Sequence, residues 1–282
     1  TGGGSSTRFV TAGGYASSHS NVIDYKEYTS SGNLSDFGDL LATKLELGTI
    51  GNNDTRLVFA GGYGPSAYYN VIEYITIAST GNSTDFGDLT TVRHALSTGQ
   101  IGNTIRGLNA SGYNNSASAT LNVIEYITIP STGNSRDFGD LTATAVNVAA
   151  CSSSTRGVFM GGRSGIGGGD SNRNVIQYVT IVSGGNAADF GDLNVSVFRS
   201  QSVSNSTKGL NAGGSTDGGG TQTNVIDQIT IASTGNATDF ADLATAVSAG
   251  SSGCAAHPSV QSNVLPDLPS AGNMALFNNY SD

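Results

Sequence analysis

Asn70-Val-Ile-Glu-Tyr-Ile-Thr-Ile-Ala-Ser-Thr-Gly-Asn-Ser-Thr-Asp-Phe-Gly-Asp-Leu89 is a stretch that the chain writes five times. Its Asn-Val-Ile heads begin at Asn21, Asn70, Asn122, Asn174 and Asn224. Its Asp-Phe-(Gly/Ala)-Asp-Leu tails begin at Asp36, Asp85, Asp137, Asp189 and Asp239. Both series step by 49, 52, 52 and 50 residues. A fixed period of about 50 residues is one supersecondary unit repeated.

The head decides how the units pack. Side chains alternate across a strand, so Ile72 and Tyr74 share one face while Val71, Ile75 and Ile77 share the other. Both faces are apolar, whereas a sheet with one wet face alternates apolar and polar. Burial of an antiparallel sheet on both sides is what radial packing supplies, each sheet lying between two neighbours.

The rest of each copy parses into three more strands. In the fourth copy these are Val146–Ser152, Thr155–Gly162 and Asp189–Leu193, around the head strand Asn174–Ile181. Gly and Asn punctuate them as they do a β-meander. First strands such as Ser97–Gly102 are small and polar, which suits a crowded axis. The short fourth strand carries two Asp, which suits an outer edge that must not recruit another strand.

The fold expected is therefore all-β: a five-bladed propeller of four-stranded antiparallel blades over residues 1–256. Thr1–Ser6 reads as too short for a full first strand. Val247–Cys254 aligns with the first-strand positions and is expected to complete the first blade, closing the ring as a C-terminal strand. Residues 257–282 hold Pro258, Pro266 and Pro269 and no repeat. They read as an extended tail on the surface or on a neighbouring chain, the latter giving a homo-oligomer.

Composition narrows the function. The net charge is -9 and only 12 residues are Lys or Arg. Phosphate backbones demand clustered cations, so nucleic acid is not the expected partner. No apolar run approaches the ~18 residues of a membrane span, and no signal peptide is visible. The start at Thr1 points to processing or to a longer protein. Cys151 and Cys254 are too few for a disulfide framework and suit no zinc spacing; both read as small buried or channel-facing thiols.

Candidate chemistry is sparse. Ten of the 21 acidic residues lie in the Asp-Phe-Gly-Asp tails. Ca²⁺ wants six to eight oxygens, a density the tails lack, so they read as turn and edge residues. The Asp-Phe-Gly string has no kinase context around it. Gly165-Ile-Gly-Gly-Gly169 neither leads into a helix nor precedes Gly-Lys-Ser/Thr, so it is no phosphate loop. His19, His94 and His257 occupy unrelated repeat positions, and no metal site or cofactor is expected. No nucleophile elbow or Ser-His-Asp set can be assembled, so the protein is expected not to be an enzyme. The sequons, such as Asn82-Ser-Thr and Asn236-Ala-Thr, read chiefly as turn residues.

Two residue sets stand out. One cation opens each second strand: Arg8, Arg56, Arg106, Arg156 and Lys208. In a meander these lie on the side of the leading Asp36, Asp85, Asp137, Asp189 and Asp239, so a belt of structural Arg–Asp pairs is expected. The second set lies in the second-to-third loops, which differ between copies while the third-to-fourth turns hardly change. They carry Tyr63, Tyr68, Tyr69, Tyr113, Arg163 and Arg173. Variable loops on a rigid scaffold are a usual place for binding, and Tyr offers contact area at low entropic cost.

These residues resemble kelch-type propeller repeats. A Gly-Gly pair ends the second strand at Gly13-Gly14, Gly61-Gly62, Gly161-Gly162 and Gly213-Gly214, with Ser111-Gly112 in the third copy. A third-strand tyrosine recurs at Tyr25, Tyr74, Tyr126 and Tyr178, with Gln228 in the fifth. Phe37, Phe86, Phe138, Phe190 and Phe240 stand where kelch repeats carry Trp. The wording of the repeat is also similar to that of repeat proteins encoded by marine phages, especially those infecting cyanobacteria. That resemblance implies a virion structural protein of tail, fibre or capsid, whose partners are other virion proteins or a host-surface glycan. The alternative is a secreted or cell-surface bacterial adhesion module that binds carbohydrate.

Overall fold

A computed structural model describes residues 1–248 apart from 16, 98, 168 and 219. Among these the chain is built of strands and turns without a helix. Blade one is β1 (Gly2–Gly4), β2 (Arg8–Tyr15), β3 (His19–Glu27) and β4 (Ser35–Asp39). Blade two is β5 (Gly48–Asn52), β6 (Arg56–Ala60), β7 (Val71–Thr76) and β8 (Thr84–Asp88). Blade three has β9 (Ile101–Gly102) and β10 (Arg106–Ala110), then a small hairpin of β11 (Tyr113–Asn114) and β12 (Ala119–Thr120). It ends with β13 (Val123–Thr128) and β14 (Arg136–Asp140). Blade four is β15 (Ala149–Ser152), β16 (Arg156–Met160), β17 (Arg173–Thr180) and β18 (Ala188–Val197). Blade five is β19 (Gln201–Ser204), β20 (Lys208–Ala212), β21 (Val225–Thr230) and β22 (Thr238–Asp242). Each blade is an antiparallel meander in chain order, and together they make a five-bladed β-propeller.

The start of blade one corrects an expectation. Thr1–Ser6 does supply an inner strand: Gly2, Gly3 and Gly4 pair with Thr11, Val10 and Phe9. Three glycines suffice because the site is tight, a Cβ on Gly3 falling 2.6 Å from Leu57. The place assigned to Val247–Cys254 is thus held by β1. Residues 249–282, with the expected closing strand and tail, lie outside the described part.

The head strands bury both faces as their pattern requires. Ile75 and Ile77 pack with Val10, Ile23 and Phe37 of blade one. Ile72 and Tyr74 pack with Phe86, Ile127 and Ile129 toward blade three. Equivalent clusters join blades three and four, and four and five.

The Asp-Phe-Gly-Asp tail is a clamp rather than a blunted edge. In every blade the third-to-fourth register slips at the Phe, as between Ile72↔Gly87 and Glu73↔Asp85. A bulge of this kind re-aims a side chain. Here it turns Phe37, Phe86, Phe138 and Phe190 into the core. The phenylalanine carbonyl then accepts from a glycine N–H of the next blade. Gly81 donates to Phe37, Gly133 to Phe86, Gly185 to Phe138 and Gly235 to Phe190, each at 2.7 Å. Asn82, Asn134, Asn186 and Asn236 accept from Asp39, Asp88, Asp140 and Asp192 N–H at 3.0–3.1 Å. The Gly-Asn turn and the aspartate tail recur together because each blade grips the last.

The expected Arg–Asp belt is not formed. Among the described residues none of the five second-strand cations pairs with a tail aspartate. Each arginine instead lies over the tyrosine of its own blade: Arg8 over Tyr25, Arg56 over Tyr74, Arg106 over Tyr126 and Arg156 over Tyr178, at 4.2–4.7 Å. Its Nη1 donates to an isoleucine carbonyl of the next blade: Ile77, Ile129, Ile181 or Ile231, at 2.7–3.1 Å. The face of a ring and a carbonyl oxygen both attract a cation. Replacing Arg156 with Ala is expected to cost about 1–3 kcal/mol from these two contacts. A thermal melt checks this, at roughly 2–4 °C per kcal/mol for a chain of this size.

In each of blades two to five, one acid or amide is buried where the chain crosses from the blade before. Glu73 accepts from Leu41 N–H (2.8 Å) and Ser83 Oγ (2.5 Å), and its Oε1 forms an ion pair with Lys44 Nζ at 2.5 Å. Glu125 accepts from Arg93 Nη2 and Ser135 Oγ, both at 2.9 Å, and from the Thr90 hydroxyl. Gln177 accepts from Thr142 N–H (2.8 Å) and Oγ1 (3.0 Å). Asp227 accepts from Asn194 N–H (3.1 Å) and Nδ2 (2.5 Å). Burial pulls the Arg93 guanidinium below its ordinary range, and the charge of Glu125 draws it back.

Burial raises Asp227 above the usual carboxylate range, against the two bonds from Asn194. Asp24 is raised too, by burial first and then by Asp36. A folded-state pKa above the unfolded value favours the protonated form. That stability is full below the unfolded pKa of about 3.9 and is lost as pH rises through the folded value. Asp227→Asn should therefore remove the part of the fall in stability that sets in as pH rises above the unfolded pKa of about 3.9. Urea midpoints of wild type and variant as pH rises from there check it.

Candidate functional site

The loop face is reached from two sides: by the residue after each Gly-Gly pair, and by the chain crossing to the next blade. The first position is Tyr15, Tyr63, Tyr113, Arg163 and Ser215 in order around the ring. Tyr63 bridges Leu45, Tyr113 bridges His94, Arg163 bridges Val146 and Ser215 bridges Phe198. One residue further along the crossing chain, Glu46, Ala95, Asn147 and Arg199 all have φ between 51° and 54°. This left-handed backbone turns the chain sharply into each inner strand.

These positions bring an aromatic cluster together over blades one to three. Tyr63 stacks on Tyr68 with centroids 5.7 Å apart, and meets His19 at 5.5 Å and His94 at 4.9 Å. His94 also meets Tyr68 at 5.3 Å and Tyr113 at 5.9 Å, and His19 meets Tyr15 at 5.7 Å. Tyr15 and Tyr68 are 49% and 38% exposed, so the cluster shows ring surface to solvent. His94 Nδ1 lies 2.7 Å from Glu46 Oε2, and Arg199 Nη2 lies 3.8 Å from Glu46 Oε1. Nε2 of His19 and Nε2 of His94 meet no hydrogen-bond partner among the described residues. Both nitrogens are buried inside the cluster, so the surface it shows to solvent is that of the tyrosine rings.

Of the six loop residues singled out from the sequence, Tyr63, Tyr68 and Tyr113 join this cluster. The other three do not. Tyr69 lies under the Lys44 ammonium at 4.9 Å, roofing the buried Lys44–Glu73 pair. Arg163 donates to the Gly167 carbonyl at 3.0 Å and lies 5.2 Å from the Phe198 ring, bracing its own loop. Arg173 donates to the Thr144 carbonyl at 3.2 Å. His19, His94, Glu46, Tyr15 and Arg199 were missed. The histidines stand at different places in their repeats, and only folding brings them to one spot. Glu46 and Arg199 had a visible signal: they occupy one repeat position that reads Glu, Ala, Asn and Arg in successive copies.

Other chemistry finds no support here. No group of three or more His, Cys, Asp or Glu among the described residues could hold a metal ion. Burial pushes the Cys151 thiol up to about 12, so it is no nucleophile near neutral pH. In the loop that carries Gly165 the Asp170 carboxylate accepts from Gly167 N–H and Ser164 Oγ. Among the described residues no helix is long and apolar enough to cross a membrane. No protein-family model and no curated protein sequence matches the chain.

Proposed function

We propose that the protein is a non-enzymatic, kelch-like binding module of a phage virion, on tail, fibre or capsid, that holds a host-surface glycan on its loop face. The observation that carries the binding reading is the aromatic cluster of Tyr15, Tyr63, Tyr68 and Tyr113 around His19 and His94. Sugar rings present C–H faces that lie against aromatic rings and hydroxyls that need partners. The exposed tyrosines Tyr15 and Tyr68 offer ring faces for the first and phenol groups, which can donate or accept, for the second. The virion assignment leans on the resemblance of the repeat wording to marine phage proteins. The kelch-like assignment leans on the Gly-Gly pairs and third-strand tyrosines.

A glycan array with wild type and Tyr68→Ala tests this. Tyr68 is part-exposed and stacks on Tyr63, so its loss should cost only about 0.5–1.5 kcal/mol of stability. It should weaken glycan binding at least about tenfold, the equivalent of one well-placed aromatic contact. Capture of a virion protein insensitive to Tyr68 would instead favour a purely structural role. Hydrolysis of a bound glycan would overturn the non-enzyme reading.

A further inference from the structure

The seam between blades two and three carries polar side chains where its neighbour between blades one and two does not. In the one–two seam a cation from the crossing chain, Lys44, meets Glu73, with Phe59 in the second strand and Gly61 after it. The two–three seam repeats the ion pair as Arg93 and Glu125. Asn109 stands where Phe59 stood, and Ser111 where Gly61 stood. Blade four returns to Phe159 and Gly161, and blade five has Asn211 with Gly213.

Both exchanges are costly as they stand. Asn109, Ser111 and Arg93 are all 0% exposed. Among the described residues, Asn109 Nδ2 and Oδ1, Ser111 Oγ and Arg93 Nε meet no hydrogen-bond partner. Buried polar atoms are normally paired, with protein or with ordered water. Ser111 also holds φ 66°, a left-handed value that its four counterparts meet with glycine at 63–67°. A side chain is disfavoured there, and strain of this kind persists where the surroundings give it a use.

These residues converge. Arg93 Nη1 donates to the Ser111 carbonyl at 3.3 Å, and Nη2 to Glu125 Oε2 at 2.9 Å. A Cβ on Gly112 would lie 3.3 Å from Arg93 Cδ, the atom that carries Nε. Asn109 is the ladder partner of Glu125, and ladder partners stand side by side on one face. Asn109 Nδ2 lies against blade two, 2.8 Å from where a Cβ on Gly48 would be. The guanidinium therefore rests against Ser111 and Glu125, with the amide beside the carboxylate.

The chemistry of the four atoms names a guest. A buried water makes two to four hydrogen bonds. The Asn109 amide offers a donor and an acceptor, the Ser111 hydroxyl offers both, and Arg93 Nε donates. No charge is left over for an ion to answer, since Arg93 and Glu125 already neutralise each other. Arginine and lysine are of similar bulk, whereas an amide is smaller than a phenyl ring. The exchange of Phe for Asn leaves room on the order of one or two waters, at ~30 Å³ each.

We propose that the seam between blades two and three is an internal water site, with one or two molecules bound between the Asn109 amide, Ser111 Oγ and Arg93 Nε. The water takes the place of the ring that closes the one–two seam. Arg93 directly precedes His94, and Ser111 stands two residues before Tyr113. The site thus lies at the root of the blade-three part of the aromatic cluster, where His94 meets Tyr113. Its existence is independent of what the loop face binds.

Oxygen-17 relaxation dispersion of water, which counts molecules held inside a protein, tests this on the full chain. The double variant Asn109→Phe/Ser111→Gly keeps Arg93 and Glu125 and copies the filling of the one–two seam. It should hold at least one long-lived water fewer than wild type. Asn109→Leu removes both amide atoms with little change of size, and should show the same loss if the double variant does not fold. A crystal structure of wild type should place water within hydrogen-bond distance of the Asn109 amide and of Ser111 Oγ or Arg93 Nε. Equal water counts in wild type and variants would overturn the proposal. So would density showing the Asn109 amide bonded directly to Glu125 or to the Ser97 carbonyl, with no water between.

Discussion

Glu125→Gln should lower the unfolding free energy by about 3–5 kcal/mol, the cost of stranding a buried charge. Arg93 and Glu125 are both fully buried, with Nη2 and Oε2 2.9 Å apart. In the variant the guanidinium stays in the interior without its counter-charge. Blade four supplies the control. Its matching positions are Gln177 and Ala145, and Gln177 is satisfied by Thr142 alone, the counterpart of Thr90. The double variant Arg93→Ala/Glu125→Gln rebuilds that neutral arrangement and should regain most of the loss. Denaturant unfolding of the two singles and the double gives the coupling directly. Equal losses in Glu125→Gln and the double would show that the pair's charge is not what matters.

Gly87→Ala should cost roughly 3 kcal/mol and open the seam between blades two and three. Gly87 has φ 150°, a region that side chains disfavour, and its Cβ would sit 2.5 Å from the Gly133 carbonyl. Overpacking alone costs about 1–3 kcal/mol, and the backbone strain adds to it. The clamp bonds Gly133 N–H to Phe86 O and Ser135 N–H to Asp88 O would lengthen together. Hydrogen exchange at Gly133 and Ser135 would report the opening. Ala241→Gly is the converse control: among the described residues no glycine clamps onto Phe240, so stability should change by less than about 1 kcal/mol.

Much of this architecture is legible in the residues. The period, the four strands per copy and the two apolar faces of Val71–Ile77 all follow from spacing, because strand geometry maps alternation directly onto faces. What was misread depends on neighbours that a single copy cannot show. Asp85-Phe-Gly-Asp88 looks like a protected edge until the Gly133-Asn134 turn of the next blade is laid on it. Arg56 looks like a partner for aspartate, yet an isoleucine carbonyl one blade on and its own Tyr74 hold it. Glu73 and Glu125 are buried acids on a strand face that is otherwise apolar. Their cations, Lys44 and Arg93, come from crossing segments with no repeat wording. The loop face divides similarly: Tyr63, Tyr68 and Tyr113 were visible as loop aromatics. His19 and His94 join them only because adjacent loops converge.

The central claim is that five like modules surround one axis, so that the second and fifth face each other across it. Glu46 and Arg199 stand 3.8 Å apart at the tips of their side chains. Modules stacked in a line at about 10 Å per sheet would hold copies two and five about 30 Å apart. The direct measurement is cross-linking of Glu46→Cys/Arg199→Cys, in a Cys254→Ser background, with a short bis-maleimide, read as intact mass after digestion. A ring predicts one efficient intramolecular link joining the peptides that carry positions 46 and 199. Two singly capped cysteines with no link would contradict it.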